Sequence, residues 1–159
     1  MKRTSFKQMN CSIARTLEVV GEWWSLLIVR DAFTGIRRFE DFQENLGIAR
    51  NVLSSRLSKL VKQGILEKRT YQERPKRFEY RLTEKGADLY PVIVTLMEWG
   101  NRWACAKGGP PVVIVDRESS QVVDPVLIDG KTGQRLDPKK LRARAGPGAS
   151  SKQRLRLGE

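Results

Sequence analysis

Hydrophobic positions in the first half of the chain recur every three or four residues, which is typical of helices with one buried face. They predict helices at about residues 11–21, 22–33, 40–46 and 49–63, and glycines at 21, 35, 47 and 64 mark where these helices end. Ser12 is the expected N-cap of the first helix. The second helix is apolar on nearly every side. Because a stacking platform for bases needs an exposed ring, this pattern favours core positions for both Trp23 and Trp24.

The fourth helix, residues 49–63, has an unusual polar face. Its apolar stripe contains Leu53, Leu57, Leu60 and Val61. The rest of its surface carries no acid and is made of Arg50, Asn51, Ser54, Ser55, Ser58, Lys59 and Lys62. A solvated helix usually mixes Glu with Lys, whereas small polar and basic side chains suit a helix in the DNA major groove. The sequence therefore predicts a recognition helix, the alternative being a solvated helix that is basic by chance.

A strand, a polar tip and a second strand follow directly, so residues 67–82 are predicted to form a β-hairpin. The basic residues Arg74, Lys76 and Arg77 lie at its tip. A hairpin in this position is a wing, whose basic tip can enter the strongly negative minor groove. The alternative is an exposed hairpin that uses Lys and Arg to prevent edge pairing.

A long helix is predicted from Thr83 to about Ala106, with an irregularity at Pro91. Its apolar arc, which includes Leu89, Leu96 and Trp103, is wider than one small domain can cover. Such a surface predicts a homodimer. A two-fold protein also suits a palindromic DNA operator.

The remaining residues change in character. Residues 113–125 and 126–138 resemble each other, each with an apolar run, an Asp, a polar turn and a closing Asp-Pro. They predict a tandem β-hairpin appendage over 109–138. Its turns contain neither Cys nor His, so no metal is expected there. Residues 139–159 are predicted to be a basic, disordered tail, and residues 1–10 a basic arm.

Charge and chemistry narrow the function. The net charge of +12 indicates an anionic partner such as nucleic acid, although half of it lies in the tail. No apolar run is long enough to span a membrane and no signal core follows Met1, so a cytoplasmic protein without a membrane partner is expected. With no His, only Cys11 and Cys105, and no carboxylate constellation, neither an enzyme nor a cofactor is expected.

Several phrases together resemble the HxlR family of bacterial winged-helix regulators, which belongs to the MarR-like superfamily. The resemblance covers about residues 11–106 and departs at Ser12, where the family commonly has Pro. It implies a dimer, usually held through the first and last helices, that represses or activates nearby genes. The phrases are Cys11 with Arg15-Thr16-Leu17, Gly21-Glu22-Trp23-Trp24-Ser25-Leu26-Leu27-Ile28 with Arg30-Asp31, Arg38-Phe39, Gly47-Ile48-Ala49, Leu53 with Arg56-Leu57, Gly64-Ile65-Leu66, Tyr80 with Leu82-Thr83-Glu84-Lys85-Gly86, and Trp99-Gly100.

The resemblance also makes Cys11 a candidate redox sensor, because some family members use the matching Cys as a thiol sensor of oxidants or electrophiles. Arg15, four residues on, and the start of the first helix could stabilise a thiolate. The alternative is a small apolar residue at the dimer seam.

The predicted protein is thus mainly α with a small β-wing: a dimeric winged helix-turn-helix over residues 11–108, followed by the appendage and the tail. We expect a sequence-specific regulator of transcription that binds double-stranded DNA. Whether a small molecule or an oxidant acts as effector is left open, and the alternatives are a winged-helix protein-interaction module or a basic RNA-binding protein. The predicted DNA-binding residues are Arg50, Asn51, Ser54, Ser55, Arg56, Lys59, Arg74, Lys76 and Arg77, of which Arg56 borders the apolar stripe.

Overall fold

The order of elements confirms the prediction of a mainly helical protein with a two-stranded wing. A computed structural model describes residues 5–105 and 107–158. Its elements are α1 (Ser12–Val20), α2 (Trp23–Phe33), α3 (Phe39–Leu46), α4 (Arg50–Lys62), β1 (Leu66–Glu73), β2 (Lys76–Leu82), α5 (Glu84–Ala87), α6 (Tyr90–Trp103), a 3-10 turn (Pro138–Lys140) and α7 (Ser151–Arg156). They fall into two compact units, Met1–Val94 and Thr95–Glu159.

One hydrophobic core holds the first unit together. The predicted stripe of α4 lies in it, with Leu53, Leu57 and Leu60 fully buried. Burying one such side chain stabilises the fold by about 1.5–3 kcal/mol. The cluster of buried residues comprises Val20, Ile28, Val29, Phe42, Ile48, Leu53, Leu57, Leu60, Ile65 and Leu66. The core therefore fixes the orientation of α4 and leaves its acid-free face outside.

The prediction that α2 buries both tryptophans is wrong for Trp23. Ile28 is fully buried and Trp24 packs against the core, but Trp23 is 89% exposed. Trp24 precedes Ile28 by one helical turn and shares its side of α2, whereas Trp23 projects from a different side. The apolar run in the sequence therefore did not indicate that Trp23 faces outward.

The start of α1 also differs in detail from the prediction. Cys11, not Ser12, is the N-cap of α1, and Ser12 is its first helical residue.

Helix α2 contains a buried carboxylate, Asp31, which accepts hydrogen bonds from Arg30 Nε at 2.9 Å and from Asn45 Nδ2 at 2.8 Å. Since a buried charge needs such partners, this group ties α2 to the end of α3.

The wing is an antiparallel hairpin that runs from the pair Leu66–Leu82 to the pair Glu73–Lys76, with one irregularity after Thr70. The segment before α3 touches its edge, because Tyr80 N donates to Arg37 O at 2.8 Å. This segment is therefore paired with the wing, with an antiparallel bridge between Arg38 and Glu79.

The end of α4 meets the base of the wing, where β1 begins and β2 ends, at one junction. Thr83 Oγ1 donates to Gly64 O at 2.6 Å, and Gly86 N donates to Thr83 Oγ1 at 3.1 Å. Gly86 approaches the Ile65 carbonyl so closely that a Cβ on Gly86 would overlap its oxygen. The base of the wing is therefore fixed to the start of α5.

The predicted long helix is two helices. Helix α5 ends at Ala87, and α6 begins at Tyr90 with Pro91 in its first turn. Proline lacks an N–H and is tolerated in a first turn, where the N–H would have no helical acceptor. The chain therefore breaks before Pro91. Ala106, the predicted end of the helix, lies outside the described residues.

The second unit contains the predicted sequence repeat, but its hairpins are minimal. Each repeat is closed by a single antiparallel bridge, Val115–Val122 in the first and Ile128–Arg135 in the second. The prolines that flank the repeats cannot donate to a ladder, so the bridges do not extend into strands. No residue is buried in the described part of this unit, 95–105 and 107–158.

The two turns repeat the same hydrogen bonds around an aspartate. Ser119 donates through its backbone N–H and its hydroxyl to Asp116, and these bonds lower the pKa of that carboxyl. The Lys131 N–H and the Thr132 hydroxyl do the same for the pKa of Asp129. The sequence repeat is therefore also a structural repeat.

The tail predicted to be disordered contains helix α7. Ser150 caps this helix in a reciprocal arrangement with Gln153, the capping box. Such a cap satisfies two amide groups at once, which explains why a short polar segment is helical here.

Candidate nucleic-acid interface

The outer face of α4 presents a continuous surface of hydrogen-bonding and basic side chains. Arg50, Asn51, Ser54 and Ser55 are exposed there, and Lys59 is partly exposed. No acid lies on this helix, which starts at Arg50 and ends at Lys62. Five of the predicted DNA-binding residues thus share one accessible helix.

Arg50 links this face to the wing. Its guanidinium lies 4.9 Å from the centre of the Phe39 ring, a distance at which a cation and an aromatic face attract each other. Arg50 also lines a cleft of about 460 Å³ together with Lys76 and Arg77 of the wing. The cleft therefore contains predicted DNA-binding residues from both α4 and the wing. Its other lining residues are Phe39, Glu40, Tyr71, Phe78 and Tyr80.

Aromatic rings support the cations of the wing. Lys68 Nζ lies 3.8 Å and Lys76 Nζ 5.6 Å from the centre of the Phe78 ring. Arg74, Lys76 and Arg77 are exposed at the predicted tip. At the base of the cleft, burial and the nearby Glu40 carboxylate raise the pKa of Tyr80. Tyr80 therefore stays neutral, and the positive charge of the cleft comes from Arg50 on α4 and from Lys76 and Arg77 on the wing.

Arg56 has a different position from the other predicted residues. Its Nη2 lies 3.0 Å from Glu22 Oε2, and its side chain is 25% exposed. The pair connects α4 to the residue that precedes α2. The structure thus places Arg56 on the flank of α4 rather than among its fully exposed residues.

Sequence reasoning missed two surface residues next to this site. Arg38 is exposed, and its guanidinium lies 4.9 Å from the centre of the Tyr71 ring on β1. Trp23 lines a cavity with Val52 and Arg56 of α4. In the sequence, the adjacent basic pair Arg37-Arg38 could have indicated that Arg38 lies at the surface. The spacing of five residues between Trp23 and Ile28 could have indicated that Trp23 does not share the buried side of α2.

Cys11 is exposed at the start of α1. Arg15, the residue expected to assist a thiolate, donates from Nη2 to Asn10 Oδ1 at 3.4 Å. The described residues contain no group of three or more Cys, Asp or Glu side chains placed to hold a metal ion.

Two helices expose large apolar side chains. In α1, Ile13 is 73% exposed. In α6, Leu96, Trp99 and Trp103 are 49%, 64% and 68% exposed. Isolated exposed apolar residues are ordinary, whereas contiguous apolar patches are typical of surfaces that bind other proteins. As for membranes, none of the helices within residues 5–105 and 107–158 has the length and hydropathy of a spanning segment.

Comparison with known proteins places this arrangement in context. The model of a family described as HxlR-like helix-turn-helix matches residues 19–107, more than half of the chain. Rv3095, an uncharacterised HTH-type transcriptional regulator of Mycobacterium tuberculosis strain H37Rv, is 43% identical over 141 residues, which cover 89% of each chain.

Solved structures agree with this match. The crystal structure of PA1607, a proposed transcription factor, has a TM-score of 0.80 and 40% identity, and covers 90% of this chain and 100% of PA1607. The redox regulator HypR in its oxidised form has a TM-score of 0.54 and 31% identity, and covers 58% of this chain and 96% of HypR. Similarity to PA1607 thus extends beyond residue 107, where the family model ends.

Proposed function

The chain belongs to the HxlR-like helix-turn-helix family of transcriptional regulators, and on this basis we propose that it binds double-stranded DNA as a homodimer. Helix α4 enters the major groove of each half-site and the wing contacts the adjacent minor groove. The observation that carries this proposal is the cleft shared by Arg50, Lys76 and Arg77, beside a helix face without acids.

Small side chains on α4 permit close approach to the bases. Ser54 and Ser55 leave room for the groove floor, while Asn51 and Arg50 offer the geometries that read adenine and guanine. Lys59 would neutralise a phosphate at the edge of the groove. Arg56, held by Glu22, would contact the backbone from the flank.

The basic tip of the wing supports a second contact. Arg74, Lys76 and Arg77 are exposed at the end of a hairpin whose base is fixed beside the end of α4. Arginine and lysine bind in narrow minor grooves because the negative potential is strongest there. One subunit would therefore read a major groove and the neighbouring minor groove.

A dimer provides a partner for the exposed apolar residues of α1 and α6. Aromatic residues such as Trp99 and Trp103 are typical of protein interfaces. Two-fold symmetry would place the two α4 helices on half-sites about one helical turn apart. The operator would then be palindromic.

Sequencing the genomic DNA fragments that the purified protein retains tests the proposal directly. We expect enrichment of one palindromic motif, protected by the protein in a footprint. Asn51→Ala should relax the preference at one base position of each half-site, with a cost of about 1–3 kcal/mol. Unchanged affinity and unchanged base preference in this variant would show that the assigned face is wrong.

Two other functions predict different outcomes in the same assays. A winged-helix protein-interaction module would enrich no motif and leave no footprint. A basic RNA-binding protein would prefer structured RNA to duplex DNA in competition. Both were open from the sequence, and the acid-free face of α4 favours duplex DNA over either.

Regulation by thiol oxidation is a further part of the proposal, favoured by the exposure of Cys11 and by the similarity to HypR. Oxidants reach exposed thiols, and the start of a helix favours the reactive thiolate form. Mass spectrometry after treatment with diamide or a quinone, together with operator binding, tests it. Modification of Cys11 should change operator affinity, and an unmodified Cys11 or unchanged binding would contradict sensing.

A further inference from the structure

Trp23 is exposed although its neighbour Trp24 packs on the core. It is the first residue of α2 and 89% of its surface is accessible. An indole in this state contributes little to the core, because stabilisation grows with the apolar area removed from water. Its position relative to α4 indicates another use.

Trp23 borders the flank of α4 that faces away from the wing. It shares a cavity of about 320 Å³ with Val52 and Arg56, which lie one turn apart on α4. Arg50, by contrast, shares its cleft with Lys76 and Arg77. The recognition helix thus has the wing on one flank and the indole on the other.

The backbone around Trp23 is firmly held. Glu22, the residue before it, forms the ion pair with Arg56 at 3.0 Å. A Cβ on Gly21 would overlap the backbone of Leu17, so the tight turn between α1 and α2 requires glycine. The backbone from which the indole projects is therefore held at a fixed place beside α4.

This flank meets the sugar-phosphate backbone when α4 lies in the major groove. Lys59 continues the flank three residues after Arg56. The indole Nε1–H can donate to a phosphate oxygen, and the ring can pack on a deoxyribose. The Glu22 carboxylate would repel a phosphate, but its pairing with Arg56 offsets that charge.

We infer that Trp23 is a DNA-backbone contact on the flank of the recognition helix opposite the wing. The inference rests on the proposed function and extends it to a residue that carries no charge. It makes the footprint of each subunit two-sided, with the wing on one side of α4 and the indole on the other.

Hydroxyl-radical footprinting tests this directly, because it reports the accessibility of each deoxyribose. The probe is a duplex that carries both half-sites of the motif recovered from genomic fragments. Trp23→Ala should lose protection at one symmetric pair of backbone positions and bind about 25- to 400-fold more weakly, because each of the two subunits loses about 5- to 20-fold, the loss expected for one hydrogen bond with its packing. Trp23→Phe should keep the protection and lose only part of the affinity, since it keeps an aromatic ring but lacks the N–H donor and part of the indole's area.

Arg77→Ala is the matched control, because it should lose protection on the wing side and keep it on the Trp23 side. Both Trp23 variants should keep the wild-type thermal midpoint, base preference and oligomeric state. If wild-type protein binds and Trp23→Ala has an unchanged footprint and affinity, the inference is wrong. If Trp23→Ala unfolds at a lower temperature and loses all protections, including those of the wing, the indole is structural and the inference is also wrong. If wild-type protein protects no duplex, the proposed function itself fails.

Discussion

Gly86 shows how a missing side chain can position a DNA-binding element. Its backbone lies against the Ile65 carbonyl at the base of the wing, where a Cβ would overlap the oxygen. In an isolated helix, alanine is favoured over glycine by about 1 kcal/mol. Here the overlap is with backbone, which cannot move aside like the end of a flexible side chain.

We therefore expect Gly86→Ala to destabilise the protein by about 1–3 kcal/mol, the usual cost of overpacking. Urea unfolding followed by circular dichroism measures this change. Gly100→Ala is the control, because in α6 no heavy atom of the described residues lies within 4 Å of the added carbon. The free energy of unfolding of Gly100→Ala should be unchanged or slightly higher than that of the wild type. Equal effects at the two positions would contradict the proposed overlap.

Individual residues were predictable where helical spacing determines burial. Leu53, Leu57 and Leu60 were placed in the core from their spacing, and all three are fully buried. The exposure of Trp23 was not predicted, because hydrophobicity does not indicate direction in a run that is apolar on every side. The ion pair of Arg56 with Glu22 joins residues 34 positions apart, and no periodic pattern reports such a contact.

At the scale of elements, the proposed contribution of the wing to DNA affinity can be measured separately through its salt dependence. Phosphate contacts release counterions, so the affinity falls with salt in proportion to their number. Lys76 is exposed at the tip and Phe78 supports its ammonium. Its expected contact is with a phosphate, which is the same in every DNA sequence.

Lys76→Gln should therefore flatten the slope of log affinity against log salt by about 0.9 per subunit, or about 1.8 for the dimer, equally for operator and unrelated duplexes. Fluorescence anisotropy at several salt concentrations gives the slope. Lys131→Gln, in the turn of the second repeat, is a control that should leave it unchanged. A loss confined to the operator sequence would instead assign Lys76 to base recognition.

Elements were predictable where one local signal dominated. The glycines at 47 and 64 bracket α4, whose observed bounds differ from 49–63 by one residue at each end. The irregularity predicted at Pro91 is a break between α5 and α6, and the single long helix was predicted because an apolar pattern continues across that break. The hairpins of residues 109–138 were overestimated, because sequence alternation does not reveal how many bridges form.

At the scale of the whole molecule, the exposed faces of α1 and α6 determine the expected assembly. Trp99 is 64% exposed on α6, and an aromatic residue at the centre of an interface commonly contributes about 2 kcal/mol or more. A charge in its place would have to be desolvated on association.

Trp99→Asp should raise the dimer dissociation constant by at least about 30-fold. Sedimentation equilibrium measures it, and operator affinity should fall in parallel because a monomer binds one half-site. Leu155→Asp on α7, where the leucine is 81% exposed, is the control and should leave the dimer intact. A fully dimeric Trp99→Asp protein would place the interface elsewhere.

The junction at Thr83 has a mechanical consequence for this assembly. Lys85 Nζ donates to Gln63 O at 2.8 Å, so α5 is bonded to the end of α4 as well as to the base of the wing. Leu89 N in turn donates to Gly86 O at 3.1 Å, directly before α6 begins. In the proposed dimer, a displacement of α5 would therefore move α4 and the wing together. The spacing of the two readers, and with it the choice among operators, could then be changed from a distance without altering any residue that contacts DNA.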